Sequence, residues 1–518
     1  MTAVQPTEEL PDHIDAAVLK VAGVVVLGSI MSILDITVVN VALPTFQRVF
    51  ADGGGELDYS LVAWTVTGYT LALATVIPAT GWAADRFGTK RLYMTAIALF
   101  TLGSILCAVA SDINQLIAFR VIQGLGGGML MPLGMTIMTR AAGPHRMGRL
   151  MAILGIPMML GPILGPILGG VLIDQASWHW IFLINAPLGI VALVYAWRAL
   201  PSDSPVPSEK FDVMGMLLLS PGLALFLFGI SSLPEAGGDP SQPRVWATAL
   251  AGTILIIAFV FHSFRPAHPL LDLRLFKDRN LSVSIITMFL FAAAFFGGLL
   301  LVPTYFQQIR GESTTMAGVL MIAQGVGAIV TMPIAGSLVD KMPVGRIIPV
   351  GLTLIIIGMF PLTQLTETTP YGVIIPALFV MGMGMGATMM PLFTSALKTL
   401  TNAEVARGST LLNISQQIAS SVGVAVMSVI LTNHLSSGEF AQSAIGSVVD
   451  PSIVDKIGPA AIARGFTEAA DSFSATFWVA WALVILTIVP AAFLPRKKEE
   501  SHLLDDQDGA TPPPVMMH

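Results

Sequence analysis

Two ionisable side chains lie deep within apolar stretches of the sequence. Asp35 stands in the run ILDITVVNVALP, and Arg120 lies seven residues after Ile113 in another apolar run. Hydrocarbon cannot solvate a charge, so an ionisable residue at membrane depth predicts a functional site. At the rise of an α-helix, the two residues lie about 13 Å and about 10 Å from the outer ends of their runs. Their similar depth makes them candidates for a pair.

The chemistry predicted for this pair is the binding and release of a proton. Arginine keeps its proton in proteins, so Asp35 must be the titrating member. Burial favours the neutral form of Asp35, whereas a nearby Arg120 favours the charged form. Movement of Arg120 relative to Asp35 then changes the proton affinity, which is what a proton-coupled exchanger needs. A structural alternative stays open, in which Asp35 is paired once and never titrates.

The composition indicates a membrane protein. Hydrophobic residues make up 54% of the 518 residues and charged residues 11%, whereas soluble domains are about 25% charged. Residues 1–17 lack a signal-peptide pattern and are expected to form a cytoplasmic tail. A single cysteine, Cys107, and scattered histidines predict neither a disulfide nor a metal site. The net charge of -6 is spread thinly, which argues against nucleic acid as a partner.

Apolar runs of about 20 residues predict fourteen membrane-spanning helices. They lie near residues 18–43, 60–82, 91–110, 113–139, 148–173, 179–199, 213–232, 245–264, 281–305, 316–338, 346–364, 371–395, 408–432 and 474–494. An even number places both termini on one side of the membrane. Of the 26 Lys and Arg residues, 20 fall at the termini or in loops after even-numbered spans, which predicts that this side is the cytoplasm. The expected location is the inner, or cytoplasmic, membrane.

The spans divide into two six-helix halves and an inserted pair. Residues 81–91, after the second span, are echoed by residues 336–346 after the tenth. The predicted units are the first half (18–200), the inserted pair (211–264), the second half (281–495) with an external loop (433–472), and a disordered cytoplasmic tail (496–518). Paired halves related by an axis along the membrane normal are typical of secondary transporters, with the substrate path between them.

Five motifs carry a family resemblance. GWAADRFGTKR (81–91), RVIQGLGG (120–127) and the glycine and proline run of 155–170 follow one another along the chain, with 34–44 before them and 178–189 after them. Together they resemble the major facilitator superfamily, and in particular its fourteen-span drug:proton antiporters of the EmrB/QacA type. The resemblance extends over about residues 18–495. It implies the all-α major facilitator fold and a transporter that uses the proton gradient and needs no cofactor.

The motif after the second span predicts a gate at the cytoplasmic face. Its residues are Gly81, Asp85, Arg86, Gly88 and Arg91, with the counterparts Asp340 and Arg346 in the second half. A carboxylate that recurs in both halves predicts two latches that break when the cavity opens inward. The alternative is a topology anchor without a gating role, because positive-inside charge alone accounts for the basic residues.

The fifth-span motif predicts close helix packing. Gly161, Gly165 and Gly169 are four residues apart and share one helix face, where another backbone can approach. The residues of the predicted hinge are Gly161, Pro162, Gly165, Pro166, Gly169 and Gly170. The prolines favour kinks, yet the spacing supports a static seam and a moving hinge equally. The antiporter role is implied by the resemblance alone.

Substrate contacts are expected mainly in the second half, whose apolar span centres carry no charged residue. Candidate cavity residues are Asn40, Gln123, Gln307, Gln324, Asn413 and Gln417. Hydrogen bonding that joins helices is the alternative role for such side chains.

The predicted function is multidrug efflux with a role in antibiotic resistance. A single deep acid suits neutral or monocationic amphiphiles, lipids included, better than divalent cations. A dedicated exporter of an endogenous lipid or metabolite is the first alternative. A membrane enzyme is a remote one, since no catalytic constellation is found. Protons and membrane lipids are the expected partners of a monomer, and the need for a periplasmic adaptor protein stays open.

Overall fold

The computed structural model describes residues 15–51, 57, 59–142, 146–202, 210–233, 242–266, 268–401, 404–449 and 452–497. Within these ranges the regular structure is helical and no strand occurs. The first half contains α1 (Ala16–Val49), α2 (Tyr59–Phe87), α3 (Thr89–Ala108), α4 (Ile113–Ala142), α5 (Met147–Gln175), α6 (Trp180–Leu183) and α7 (Asn185–Ala199). The inserted pair is α8 (Val213–Ser231) and α9 (Pro243–Ser263).

The second half begins with a short 3-10 helix, Leu273–Lys277. It continues with α10 (Arg279–Gln308), α11 (Thr314–Leu320), α12 (Ile322–Lys341), α13 (Val344–Met359), α14 (Tyr371–Lys398), α15 (Val405–Ser437), α16 (Ala441–Val449), α17 (Ser452–Ile457) and α18 (Pro459–Ala491). A 3-10 turn, Phe360–Gln364, extends α13.

The helices confirm the all-α membrane architecture. Among the described residues, 13 stretches are long and apolar enough to cross a membrane, with α6 and α7 counted as one and α11 and α12 as another. Helix α5 has 29 residues and contributes the shorter apolar stretch Met147–Met158. Each long helix corresponds to one of the fourteen predicted spans.

The stretch predicted as an external loop, 433–472, is mostly helical. Helix α15 continues to Ser437, α16 and α17 follow, and α18 begins at Pro459. The predicted fourteenth span began only after charged residues such as Glu468, because hydropathy measures how favourably a segment transfers into lipid. An Ala-rich segment extends a helix into water without being apolar throughout.

One face of the bundle carries both ends of the described chain. Asp15, before α1, pairs with Arg146 at the start of α5 at 3.5 Å, and the amide of Gly345 donates to the carbonyl of Pro495 at 3.1 Å. We call this the terminal face. The helices alternate in direction from it, as an even number of spans requires.

The two halves meet along two seams. At one seam α5 packs against α12 and α14, while its other side packs against α1. At the other seam α15 packs against α2 and α4. The inserted pair lies beside this second seam, where Ser220 on α8 donates to the carbonyl of Thr75 on α2 at 2.7 Å. Helices α1 and α4, which carry Asp35 and Arg120, therefore both adjoin a helix that forms a seam.

Candidate functional site

Asp35 and Arg120 form a buried ion pair between α1 and α4. The Nη1 of Arg120 donates to the Oδ2 of Asp35, and the relative exposure of the two residues is 0% and 2%, respectively. The depth count along the two spans predicted a similar depth for these residues, and the structure brings them into contact. Breaking a buried pair by removal of one partner costs about 3–5 kcal/mol, since the remaining charge is left in a low dielectric. The pair is thus a strong constraint on how α1 and α4 are arranged.

Two groups of α2 hold the Arg120 guanidinium in place. Its Nε donates to the carbonyl oxygen of Thr65 at 2.9 Å, and its Cζ lies 4.1 Å from the ring centroid of Tyr69. The hydroxyl of Tyr69 is 3.2 Å from that of Ser32 on α1. The Nη2 of Arg120 makes no hydrogen bond within the described structure. Nη2 is therefore the one guanidinium nitrogen of Arg120 without an acceptor among the described residues, while Nε and Nη1 both donate.

Gln123 bridges the two charged residues. It lies one helix turn from Arg120, and the amide oxygen accepts from Nη1 of Arg120 at 2.7 Å. The amide nitrogen donates to Oδ1 of Asp35 at 2.7 Å. Gln123 is completely buried. The structure therefore places this predicted cavity residue within the charge site instead of on an open surface.

Asn185 and Ser104 complete the site. The Nδ2 of Asn185, the first residue of α7, donates to the hydroxyl oxygen of Ser104 on α3 at 3.0 Å and lies 3.5 Å from Oδ1 of Asp35. No role was predicted from the sequence for Asn185, Ser104 or Tyr69, although Asn185 lies within the motif at 178–189. The motif around Asn185 was the one available signal, because nothing in a sequence shows which helix faces meet.

The predicted hinge glycines pack on the helix that carries Asp35. A Cβ on Gly161 would lie 2.1 Å from Cγ2 of Ile33, and a Cβ on Gly165 would lie 2.0 Å from Oγ1 of Thr37. Thr37 also donates to the carbonyl of Gly161 at 3.1 Å. Gly169 faces Val38 in the same row. These contacts confirm the close packing and leave no room for larger residues along this face.

Other members of the fifth-span motif lie differently. Gly170 faces the second half, where its Cβ would be 3.3 Å from Oγ1 of Thr315 on α11. The side chains of Pro162 and Pro166 lie outside the described residues. Helix α5 thus packs on α1 with its glycine row, whereas Gly170 of the same motif faces the second half.

Asp340 joins the halves at the terminal face. It accepts a hydrogen bond from the backbone amide of Gly148 at 2.8 Å and one from Nε of Arg149 at 3.1 Å. A Cβ on Gly148 would lie 2.3 Å from the carbonyl oxygen of Gly336, so α5 and α12 are in backbone contact here. An acid at a helix N-terminus also interacts favourably with the helix dipole.

Asp85 makes the corresponding contact of the first half. Its carboxylate lies 3.5 Å from Arg140 on α4 and 3.9 Å from Arg407 on α15. Only the second of these joins the halves. The structure therefore places both predicted latch carboxylates at contacts between the halves.

The remaining residues of the two loop motifs have other surroundings. Gly81 allows α15 to approach α2, because its Cβ would be 3.3 Å from the carbonyl of Ala406. Gly88 has φ of 94° and turns the chain between α2 and α3. Among the predicted gate residues, Arg86, Arg91 and Arg346 have exposed side chains. Their exposure suits contact with water or headgroups.

Near the terminal face, α4 and α15 are sealed by polar contacts. Thr136 and Ser409 are buried with their hydroxyl oxygens 2.8 Å apart, and the amide nitrogen of Asn413 lies 3.3 Å from the sulfur of Met135. Asn413, a predicted cavity residue, thus lies at a contact between the halves. This seal and the two latches close the terminal face in this structure.

The other predicted cavity residues are dispersed. Gln324 on α12 is buried and its Oε1 has no hydrogen-bond partner within the described structure. Gln307 accepts from Thr314 at 3.3 Å, at the opposite end of the bundle from the terminal face. Gln417 is half-buried and Asn40 is exposed. The structure does not bring these side chains together into one cluster.

The described ranges contain no cluster of side chains typical of a metal-binding site. They contain no group of three or more His, Cys, Asp or Glu side chains that could hold an ion. The three charged residues that are buried there, Asp35, Arg120 and Arg146, all belong to the first half.

The chain is similar to one protein-family model and to several named proteins. Residues 25–424 match the family model described as Major Facilitator Superfamily. A Mycobacterium tuberculosis protein named "Multidrug resistance protein B homolog" is 48% identical over 510 residues, which cover 95% of this chain and 92% of the relative. A Salmonella typhi protein named "Putative multidrug resistance protein MdtD" is 32% identical, with 82% of this chain and 87% of the relative covered.

Solved structures of low sequence identity share the fold. The proton:xylose symporter XylE bound to 6-bromo-6-deoxy-D-glucose superposes with a TM-score of 0.59 at 17% identity, covering 95% of this chain and 99% of that one. The human organic anion transporter MFSD10 gives a TM-score of 0.60 at 15% identity, with 92% and 100% covered. At such identities the likeness concerns the fold alone.

Proposed function

The chain belongs to the major facilitator superfamily, and we propose that within it the protein is a proton-coupled antiporter that exports lipophilic or amphiphilic compounds. Membership makes it a multi-pass membrane transporter and excludes the membrane-enzyme alternative. The direction of transport, the driving ion and the substrates are proposed here.

The buried pair of Asp35 and Arg120 is the observation that carries the proposal. The Asp35 carboxylate and the Arg120 guanidinium are buried between two spanning helices. Among the described residues, Asp35 is the one acidic residue that is buried. Intramembrane ionisable residues of this kind mark proton relays in transporters. Because Arg120 retains its charge, each protonation of Asp35 leaves Arg120 without its counter-ion and favours a new arrangement of α1 and α4.

The proposed cycle alternates between two conformations. With the terminal face closed and the opposite face open, an external proton neutralises Asp35 and substrate leaves. With the terminal face open, Asp35 loses its proton to the cytoplasm and substrate binds. Proton and substrate exclude one another at or near one site, so the inward proton gradient drives export.

Helix α5 supplies a mechanical connection for this cycle. Its glycine row packs on α1 next to Asp35, and its first turn is bound by Asp340 of the second half. A shift of α1 after protonation would therefore displace α5 and strain the latch at the terminal face. Interlocked packing of this kind favours discrete arrangements over gradual deformation.

Charge and the names of the relatives support the proposed substrate class. The described buried residues of the second half include no charged side chain, which suits neutral or monocationic ligands. Two relatives carry names that refer to multidrug resistance. We expect the protein to act as a monomer in the cytoplasmic membrane, with both termini in the cytoplasm, and to contribute to antibiotic resistance.

A pH-jump experiment with purified protein in liposomes tests the proposal. Ethidium, a lipophilic monocation, should accumulate in vesicles whose lumen is more acidic than the medium, because protons leaving the lumen drive ethidium inward. Asp35→Asn should abolish this accumulation while ethidium-for-ethidium exchange persists. Asp112→Asn serves as the matched control, since Asp112 lies just before α4 in the same half and its carboxylate caps the amide of Gln115.

Two results would contradict the model. Accumulation that ignores the pH gradient excludes proton coupling, and undiminished accumulation in Asp35→Asn excludes Asp35 as the proton site.

Export of one endogenous lipid or metabolite is the second candidate, and the uncharged interior of the second half fits it equally well. An untargeted comparison of the compounds retained by cells with and without the protein separates the two. A multidrug exporter should change the retention of many added lipophiles, whereas a dedicated exporter should change one class of endogenous compound.

A further inference from the structure

Ser104 on α3 is the hydroxyl on which both amides of the Asp35 site converge. We infer that Ser104 is a positioning residue that fixes these amides as donors and so sets the proton affinity of Asp35. The inference rests on the proposed role of Asp35 as the proton site and adds the groups that tune it.

The hydroxyl of Ser104 can only accept hydrogen bonds from the amides. Its single hydrogen is donated to the carbonyl oxygen of Phe182 at 3.0 Å. Its lone pairs then face the amide nitrogens of Gln123 at 3.1 Å and Asn185 at 3.0 Å. A serine hydroxyl has one donor and two acceptor positions, so all three are in use.

This arrangement decides which way both amides point. Each NH₂ group directs one hydrogen to Ser104 and the other towards Oδ1 of Asp35, at 2.7 Å for Gln123 and 3.5 Å for Asn185. The oxygen of Gln123 accepts from Arg120 at 2.7 Å and from the thiol of Cys107 at 3.6 Å. A reversed Gln123 amide would place its oxygen against the lone pairs of Ser104 and its NH₂ against Arg120.

The carboxylate of Asp35 therefore faces donors: Arg120, Gln123 and Asn185. A protonated Asp35 would bring an additional hydrogen and find no acceptor among these three groups in their present orientation. Uptake of a proton must then displace one of them, and Arg120 is the partner whose charge is no longer matched.

Close helix packing holds Ser104 in this position. A Cβ on Gly103 would lie 2.6 Å from Cα of Gln123, and one on Gly189 would lie 2.0 Å from Oγ1 of Thr101. Helix α3 thus lies in direct contact with α4 on one side and with α7 on the other. The three hydrogen-bonding side chains are carried by three helices that cannot move apart independently.

Few other titratable groups adjoin the site. They are Arg120 on α4, Tyr69 on α2 and Cys107 on α3. The described face of α5 that packs on α1 carries glycines, which do not titrate. Helix α7 contributes the neutral amide of Asn185. A change at Ser104 or Asn185 therefore alters the hydrogen bonds of Asp35 without altering the local charge.

The test measures the pH at which protons displace ethidium from the purified protein, followed by ethidium fluorescence. Ser104→Ala frees the Asn185 amide to turn its oxygen towards a protonated Asp35, whereas Arg120 still orients Gln123. Asn185→Ala removes a donor to the anion. Both changes should move the midpoint to higher pH by about half a unit, which is about a threefold rise in proton affinity. Ser104→Thr keeps the hydroxyl and should retain the wild-type midpoint. Thr95→Ala, at an exposed position of α3, should also leave it unchanged.

The outcomes separate this inference from the proposed function. If wild-type binding ignores pH, or Asp35→Asn keeps the wild-type pH dependence, the proton site itself is wrong and the inference with it. If wild type and Asp35→Asn behave as proposed while Ser104→Ala and Asn185→Ala keep the wild-type midpoint or move it to lower pH, the inference alone is overturned. If Ser104→Ala does not yield folded protein, the Asn185→Ala midpoint decides by the same criterion.

Discussion

Asp340 on α12 accepts a hydrogen bond from the backbone amide of Gly148, the second residue of α5, at 2.8 Å. This carboxylate caps the first turn of a helix that belongs to the other half of the protein. A neighbouring hydrogen bond from Arg149 strengthens the contact. The two halves are thus joined at the terminal face by an N-terminal cap that is supplied across the interface.

Removal of this cap should open the terminal face. Asp340→Ala loses a helix cap worth about 1 kcal/mol together with the ion pair to Arg149, so the open state should gain about tenfold in population. The readout is maleimide labelling of Ser409→Cys, a position that is fully buried against α4. The reagent is added from the terminal side, and labelling should become about tenfold faster.

The control for this experiment is Asp272→Ala. Asp272 caps the short 3-10 helix before α10 by accepting from the amide of Arg274, so its loss should leave labelling at the parental rate. Equal labelling rates in Asp340→Ala and in the parent would show that this contact does not hold the face closed.

The contact between Asp85 and Arg407 should be the weaker latch. Its atoms are 3.9 Å apart and its carboxylate is 21% exposed, against 3.1 Å and 7% for Asp340 with Arg149. Partly exposed ion pairs contribute about 0.2–1 kcal/mol. Arg407→Ala should therefore accelerate labelling of Ser409→Cys less than fivefold, and 1 M salt should reduce that difference by screening. A larger effect than that of Asp340→Ala would reverse this ranking.

The sequence alone predicted the helix count and the depth of Asp35 and Arg120. Charged side chains and unpaired backbone groups are costly in hydrocarbon. The lengths of the apolar runs therefore indicate how many helices span the membrane and how deep each residue lies. Asp85 follows the second span and Asp340 the tenth, so the even-numbered order of these spans also predicted that the two lie at one face.

The surroundings of Asp35 could not be predicted in this way. Gln123, Ser104 and Asn185 come from three helices, and they converge because glycines such as Gly103 let those helices approach closely. Helix rotation and approach depend on tertiary packing, which no local pattern encodes. The extension of α18 to Pro459 was missed for a different reason, because polar residues can continue a helix beyond the lipid.

The glycine row of α5 provides a steric test of its packing on α1. In Gly161→Ala the new Cβ would lie 2.1 Å from Cγ2 of Ile33 but 3.3 Å from Cβ of Ile33. Overpacking of this kind costs about 1–3 kcal/mol. Gly161→Ala should therefore lower the unfolding temperature in detergent and slow transport.

A second substitution on α1 should compensate for this clash. Ile33→Ala removes Cγ2, so the double variant should regain most of the lost unfolding temperature. Gly372→Ala is the control, since its Cβ would meet nothing within 4 Å. No recovery in the double variant would mean that Gly161 is not limited by its contact with Ile33.

Asp212 fastens the inserted pair to the chain that follows it. Its carboxylate accepts from the amide of Gly215 at 2.8 Å, from Nε2 of His262 at 2.8 Å and from the amide of Leu270 at 3.1 Å. Burial opposes ionisation of this carboxyl, but the three hydrogen bonds outweigh it, so the pKa of Asp212 lies below its usual value. The folded protein therefore binds fewer protons at this group than the unfolded chain does.

The hydrogen bonds to ionised Asp212 therefore stabilise the folded protein at neutral pH, and this stabilisation is lost in acid. Asp212→Ala should lower the free energy of unfolding by about 1–2 kcal/mol at pH 7. The difference from wild type should begin to shrink as the pH falls below about 4, where the unfolded chain takes up the proton first, and should shrink further until the pH is below the lower pKa of folded Asp212. Thermal unfolding in detergent from pH 7 to pH 3 measures it. Asp278→Ala removes a simple cap of α10 and should cost less at pH 7, and a difference for Asp212→Ala that stays constant to pH 3 would exclude the ionised carboxylate as its source.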